Sequence, residues 1–190
     1  INYEPDNVVT LAEDVLLPFK AFANDKGISI RSIYHIADPY IMIDKEAMTK
    51  IFTNLFGNAI KYTPEGGMIT LYMAAIGESK LYIDVSDTGS GLNEDDIEKI
   101  FQQFYQSKGA ESQPGTGIGL YLCKRIVSLL GGDIKAQNNK GKGSSFRITL
   151  PISRLESRGR KATIEQTIDA LNTTQEERDE RMTILIVEDS

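Results

Sequence analysis

Three stretches of the chain hold residues whose types and spacing can do chemistry. The first is Asn54-Leu55-Phe56-Gly57-Asn58-Ala59-Ile60-Lys61-Tyr62-Thr63-Pro64. Spacings of four and three residues put Asn54, Asn58 and Lys61 on one helical stripe, an arc of roughly 60°. A neutral amide oxygen suits a hard cation such as Mg2+, which takes oxygen donors and keeps several waters. Lys61, one turn on, can neutralise phosphate charge. For two asparagines and a lysine alone, a plain solvent-facing stripe is the better explanation. Asparagine is a poor helix former, however, and two on one mid-helix stripe carry a local cost that points to a role.

The second and third stretches are rich in glycine. Asp87-Thr88-Gly89-Ser90-Gly91-Leu92 follows a strand pattern. Gly89 and Gly91 let the backbone approach a ligand closely, and Asp87 can accept a hydrogen bond from an exocyclic amine. Gly115-Thr116-Gly117-Ile118-Gly119-Leu120 precedes a helix pattern and would present backbone N–H groups at a helix N-terminus, a ready anion site. It lacks the Gly-Lys-Ser/Thr ending of a P-loop. It is not a dinucleotide fingerprint either, because its third glycine comes too early and no strand precedes it. Each box alone has an ordinary turn as its rival explanation; their order after the asparagine helix is the stronger signal. Between the boxes, Ile100-Phe101-Gln102-Gln103-Phe104-Tyr105-Gln106 leads into a polar run from Ser107 to Pro114. So long an irregular stretch between pocket elements predicts a lid or a binding segment.

The elements that must position these residues follow from periodicity and turn chemistry. Thr10 and Glu13 have capping-box spacing, which predicts a helix from Thr10 to Lys26-Gly27, kinked at Pro18. Residues 28–33 and 40–43 read as strands. Asp44 caps a helix whose apolar stripe is Met48, Ile51, Phe52, Leu55, Phe56 and Ala59, and Pro64 ends it near Tyr62. Residues 68–74 and 80–86 form a hairpin, with a short helix at 95–101. A helix spans 118–130 up to Gly131-Gly132, and strands at 133–136 and 145–150 make a second hairpin. This order predicts an α+β two-layer sandwich: a mixed, mainly antiparallel sheet, helices on one face, and a lid. Residues 1–151 make one domain and 152–181 a charged linker. Met182 to Asp189 is a new buried-type strand ending in two carboxylates.

Taken together, these stretches resemble the catalytic ATP-binding domain of bacterial sensor histidine kinases, in the superfamily that also holds DNA gyrase and heat-shock chaperone ATPases. Asn54 to Thr63 resembles the family's N box and Asp87 to Leu92 its first glycine box. Ile100 to Gln106 resembles the F box, Gly115 to Leu120 the second glycine box, and Gly141-Lys142-Gly143-Ser144-Ser145-Phe146 the final glycine element. The resemblance implies that the chain binds Mg-ATP and passes the γ-phosphoryl group to a histidine. Asn58 would ligate Mg2+ with Asn54 beside it, and Lys61 and Tyr62 would contact phosphates. Asp87 would read the adenine amine, with Gly89 and Gly91 close to the base. Gly115, Thr116, Gly117, Gly119 and Leu120 would wrap the phosphates and the base of the lid, and Ser145 would belong to the same site. Asn54 and Lys61 would serve the transfer itself.

Two departures refine the resemblance. Many members carry an arginine after the F-box aromatics; here that position is Gln106, with Lys108 nearby as a possible substitute. The acceptor histidine of the family sits on a preceding helical hairpin, in a His-Glu motif. The only histidine here, His35, precedes Ile36 and reads as structural. The expectation is therefore a chain that cannot phosphorylate itself, a monomer cut from a longer cytoplasmic region of a membrane-anchored sensor. Residues 184–189 resemble the first strand of a receiver domain, which would make the parent a hybrid kinase. The expected partners are the acceptor hairpin and that receiver.

Composition narrows the field. The net charge of −6 and the lack of basic runs interleaved with aromatics argue against nucleic acid as partner. One cysteine, Cys123, allows no internal disulfide and fits a reducing compartment. No apolar run reaches the roughly 18 residues of a membrane span. Two rival functions stay open. One is an ATP-hydrolysing module of the gyrase or chaperone type, which places a glutamate base where Asn54 stands; an amide cannot deprotonate water. The other, suggested by Gln106, is a nucleotide sensor without transfer.

Overall fold

In the computed structural model, residues 1–106 and 117–153 are described, and they fall within one compact unit, Ile1–Arg154. The chain opens with a short strand, β1 (Glu4–Asn7), pairing antiparallel with β3 (Tyr40–Ile43) as a separate two-stranded ribbon. Helix α1 (Val8–Asp25) follows at once. Its cap is Asn7, whose side-chain oxygen accepts from Val9 N and Thr10 N, each at 3.0 Å. The expected capping box is therefore not used. Glu13 instead pairs with Lys20 and accepts from the Tyr34 hydroxyl of β2 (Ser29–His35). Helix α1 continues through Pro18 and stops where Gly27 takes a φ of +68°, a left-handed conformation that glycine adopts at no steric cost.

Asp44 accepts from Ala47 N at 2.8 Å and starts α2 (Lys45–Tyr62). The predicted stripe is buried throughout: Met48, Ile51, Phe52, Leu55, Phe56 and Ala59 are at most 5% exposed. Each large side chain removed from water this way contributes about 1.5–3 kcal/mol. These six face the inner rows of β4 (Met68–Ile76) and β5 (Lys80–Asp87), where Ile69, Leu71, Met73, Leu81, Ile83 and Val85 alternate inward. Helix α2 lies between α1 and α3 (Gly119–Leu129). Cys123 of α3 is fully buried, and burial pushes its thiol pKa up to about 12, which leaves it an unreactive packing residue.

The main sheet has the order β2-β4-β5-β7-β6, with β6 (Asp133–Asn138) and β7 (Ser144–Pro151) as the second hairpin. Only the β2–β4 pair is parallel, so the sheet is mixed and mainly antiparallel, as expected. The short helix expected around Asp95 is instead two 3-10 turns, Glu94–Asp96 and Lys99–Phe101. Past Pro151 the chain stays tied to the fold: Ile152 N donates to Ser79 O and Met42 N to Ser153 O. The rest of the expected linker and the strand at 182–190 lie outside the described residues. Among the described residues, no helix is long and apolar enough to cross a membrane. His35 is exposed at the end of β2, its ring 5.5 Å from that of Tyr72.

Candidate functional site

The polar stripe of α2 is where the site begins. Asn54 donates from Nδ2 to Lys50 O at 2.8 Å, which fixes its amide and leaves Oδ1 to face the start of α3. Asn58, one turn on and half-buried, makes no side-chain hydrogen bond to a described residue. Lys61 sits with its Nζ 4.9 Å from the centre of the Tyr62 ring, a cation–π contact, and forms no ion pair with a described residue. The last carbonyls of α2 are held from outside: Lys26 Nζ donates to Ile60 O at 2.7 Å and to Lys61 O at 3.3 Å. A lysine there also meets the negative end of the helix dipole.

Asp87 closes β5 and is only 5% exposed. Its Oδ1 accepts from Gly89 N at 2.8 Å and Ser144 N at 3.3 Å, and its Oδ2 accepts from Ser144 Oγ at 2.7 Å. A carboxylate has about four lone-pair sites, so one acceptor position on Oδ2 is left. Gly89 lies against the end of α2; a Cβ there would stand 2.3 Å from Tyr62 O. Gly143 has a φ of +86°, and its missing Cβ would fall 1.9 Å from Asp87 O. These two glycines therefore let the first box, the end of α2 and the start of β7 close on one another.

Helix α3 brings the second box to the same place. Its cap position, Ile118, offers no side-chain hydrogen bond, and no acidic residue lies in its first turn. Among the described residues, no side chain is bonded to its leading N–H groups, the arrangement that receives anions. Gly119 meets Asn54: a Cβ on it would stand 2.6 Å from Asn54 Oδ1. Leu120 is half-buried against the core. Gly117 pairs with the F-box segment, its carbonyl accepting from Phe104 N at 3.1 Å. Phe104 itself has a φ of +63° and is 66% exposed. Tyr105 anchors the segment by donating to Asp96 Oδ1 at 2.5 Å; that bond raises the Tyr105 pKa.

Among the expected site residues, Asn54, Asn58, Lys61, Tyr62, Asp87, Gly89, Gly91, Gly117, Gly119 and Leu120 belong to elements that converge here. Ser145 does not share their side of the sheet. It is buried, and its hydroxyl donates to Asp84 Oδ1 beside Arg147 on the opposite face. Strand residues alternate faces, so its neighbour Ser144 is the one that meets Asp87. Gly115, Thr116 and Lys108 lie outside the described residues. Three residues at this end escaped the sequence reading: Ser144, Asn138 and Asn139. Asn139 Nδ2 donates to Asp87 O at 2.9 Å and to Ser144 O at 3.0 Å. Nothing in the local sequence marks the asparagine pair for this role.

No group of three or more His, Cys, Asp or Glu able to hold a metal exists among the described residues. The donors present nevertheless fit Mg2+ held mainly by a ligand's phosphates and water, because Asn58 offers an amide oxygen with no bond to a described residue, one turn from Asn54, which meets the start of α3.

Helices α2 and α3 and the end of β5 thus bring the asparagine stripe and the glycine-rich loops together in an α+β sandwich. The chain belongs to the histidine kinase-, DNA gyrase B- and HSP90-like ATPase family, whose pattern it matches over residues 43–154. It is 41% identical over 117 residues to the sensor histidine kinase WalK of Bacillus subtilis (strain 168), covering 60% of this chain and 19% of that protein. It is 29% identical over 187 residues to the sensor protein EvgS of Escherichia coli (strain K12), covering 96% of this chain and 15% of that protein. The chain thus spans under a fifth of the length of these relatives. Among solved structures, full-length ShkA in complex with AMPPNP superposes with a TM-score of 0.74 at 28% identity, covering 82% of this chain and 32% of that one. The relatives are sensor histidine kinases, and the fold is that of their catalytic domains.

Proposed function

We propose that this chain binds Mg-ATP and passes the γ-phosphoryl group to a histidine on a separate helical-hairpin domain of its parent protein. The observation that carries the reading is the contact between Gly119 and Asn54. It sets the uncapped start of α3 against the amide stripe of α2, so anion donors and cation ligands face one space. Asp87 receives the adenine amine on its remaining lone pair, and Gly91 lies near the base. Tyr62 and Lys61 meet the phosphates, joined by Gly115, Thr116 and Gly117. Bound at Asn58, Mg2+ supplies charge neutralisation for the phosphates. In the transfer, the imidazole nitrogen bonds to the γ-phosphorus as the bond to the bridging oxygen breaks, and ADP leaves. The chain's part is positioning and charge stabilisation. Asn54 supports transfer over hydrolysis, because an amide cannot act as a base toward water.

The wider reading is that residues 1–151 form the catalytic domain, 152–181 a linker and 182–190 the first strand of a receiver in a hybrid sensor. The alignment with EvgS, which spans nearly the whole chain, supports it. The parent would be membrane-anchored with this part cytoplasmic, and the chain alone monomeric. Isothermal titration with Mg-ATP, steady-state hydrolysis, and transfer to an added acceptor-hairpin fragment test the reading together. Binding with slow hydrolysis and transfer to the added histidine is expected. Fast intrinsic hydrolysis would favour the gyrase-type alternative, and binding without transfer to a cognate acceptor would favour a nucleotide sensor.

A further inference from the structure

The start of the first glycine box is held by local bonds, Gly89 N to Asp87 Oδ1 and Thr88 to Met68, and both its ends are also pinned from a distance. The pins are adjacent asparagines at the end of β6, 46 and 52 residues away in sequence. Asn138 Oδ1 accepts from Leu92 N at 2.7 Å, and Asn138 Nδ2 donates to Leu92 O at 2.8 Å. A side-chain amide here makes the two-way exchange that antiparallel strands make with their backbones. The same Oδ1 crowds Gly91, whose φ is +76°; a Cβ on Gly91 would stand 3.0 Å from it. Asn139 holds the other end through Asp87 O and Ser144 O.

The two asparagines differ in setting. Asn139 is half-buried and bridges two core strands, so its bonds serve the fold. Asn138 is exposed, and among the described residues its side-chain bonds reach only Leu92. We propose that Asn138 is a positioning residue for selection of a 6-aminopurine nucleotide. It fixes the Gly91-Leu92 backbone opposite the Asp87 carboxylate, so that a base with an amine at that edge fits and one with a carbonyl does not. This rests on the reading of Asp87 as the base acceptor. Only a short amide satisfies the geometry. Aspartate would set a carboxylate against the Leu92 carbonyl, serine is shorter and has one oxygen where the amide uses two atoms to reach Leu92 N and O, and glutamine is one methylene too long.

The test titrates the full 190-residue chain with Mg-ATP, Mg-GTP and Mg-tripolyphosphate, alongside thermal melts. Asn138→Ala and Asn138→Asp should weaken Mg-ATP by about tenfold, because the Leu92 backbone loses one or both of its bonds to Asn138 and no longer holds its place at the base. The preference for ATP over GTP should shrink with it, while tripolyphosphate binding stays unchanged. Asn138→Ser should lie between them and the parent chain. Unaltered ATP affinity and preference in folded variants would overturn the proposal. So would equal weakening of tripolyphosphate, or unfolding of all three variants, since either assigns Asn138 to stability. Absence of ATP binding by the parent chain would instead sink the reading of the site.

Discussion

At the end of β5, the Asp87 carboxylate receives three hydrogen bonds and two asparagines pin the loop beyond it, whereas on α2 the Asn58 amide meets no described partner. The first region is built before any ligand arrives, its polar atoms satisfied by protein. The second is a set of openings among the described residues: an amide without a partner there, a lysine on an aromatic ring, and a helix start without a side-chain cap. The difference suits the two halves of a nucleotide. A base is recognised by shape and a few directed bonds, which demand a fixed wall. Phosphates and their cation arrive hydrated and highly charged, and are met by groups able to exchange water for ligand. Substitutions in the first region should therefore cost both stability and affinity, and substitutions in the second affinity alone.

The largest effect should come from Asp87→Asn. An amide can offer one acceptor oxygen, but three donor groups point at the present carboxylate, all in a buried site. At least one donor loses its partner, at about 1–3 kcal/mol each. The melting temperature should drop by about 3–10 °C, and ATP binding should weaken together with its preference over GTP. Calorimetry and a two-nucleotide titration check both halves. A variant as stable as the parent would break the distinction between a built wall and an open mouth.

Asn58→Ala should come next, with the opposite profile. Mg-ATP affinity should fall by at least about tenfold, for loss of a metal ligand. The melting temperature should move by no more than about 2 °C, since a half-exposed side chain with no described partner supports little. Titrations with and without Mg2+ locate the effect: binding without the metal should be the less affected. Gly119→Ala should be milder again. Its Cβ would press on Asn54 Oδ1 at 2.6 Å, so Asn54 must turn, and Mg-ATP affinity should drop only a few-fold, about 1 kcal/mol or less.

The same contrast marks what could be read from residue order. The stripe of α2 and the alternation of β4 and β5 were legible because burial imposes 3.6- and 2-residue periods. The open region could be proposed from the same order of residues, since Asn58, Lys61 and the glycines are marked by residue type and local spacing. The short strand β1 was not: Glu4-Pro5-Asp6-Asn7 carries no strand signal, and it exists by pairing with β3. Glu13 fitted a capping box, but Tyr34 from a distant strand and Lys20 claim its carboxylate. The pins of the first glycine box were hidden for the same reason. Asn138 and Asn139 act across 46 and 52 residues, and nothing local separates them from ordinary turn formers.

Ser145→Ala should have the smallest effect and tests the sharpest correction. The final glycine element places two serines in a row, and residue type cannot say which one faces the pocket. Gly143, packed against the Asp87 carbonyl, sets where β7 begins, and that register turns Ser144 inward and Ser145 outward. A one-residue slip would exchange them. Ser145→Ala removes only the hydroxyl bond to Asp84, which keeps its contact with Arg147 Nε at 3.1 Å. Stability should fall by about 1 kcal/mol, with ATP affinity and base preference unchanged. Ser144→Ala, made in parallel, strips Asp87 Oδ2 of its donor and should lower ATP affinity. Equal effects of the two variants on nucleotide binding would mean that the wall is read from both faces of the sheet, and the division between a built base end and an open phosphate end would have to be redrawn.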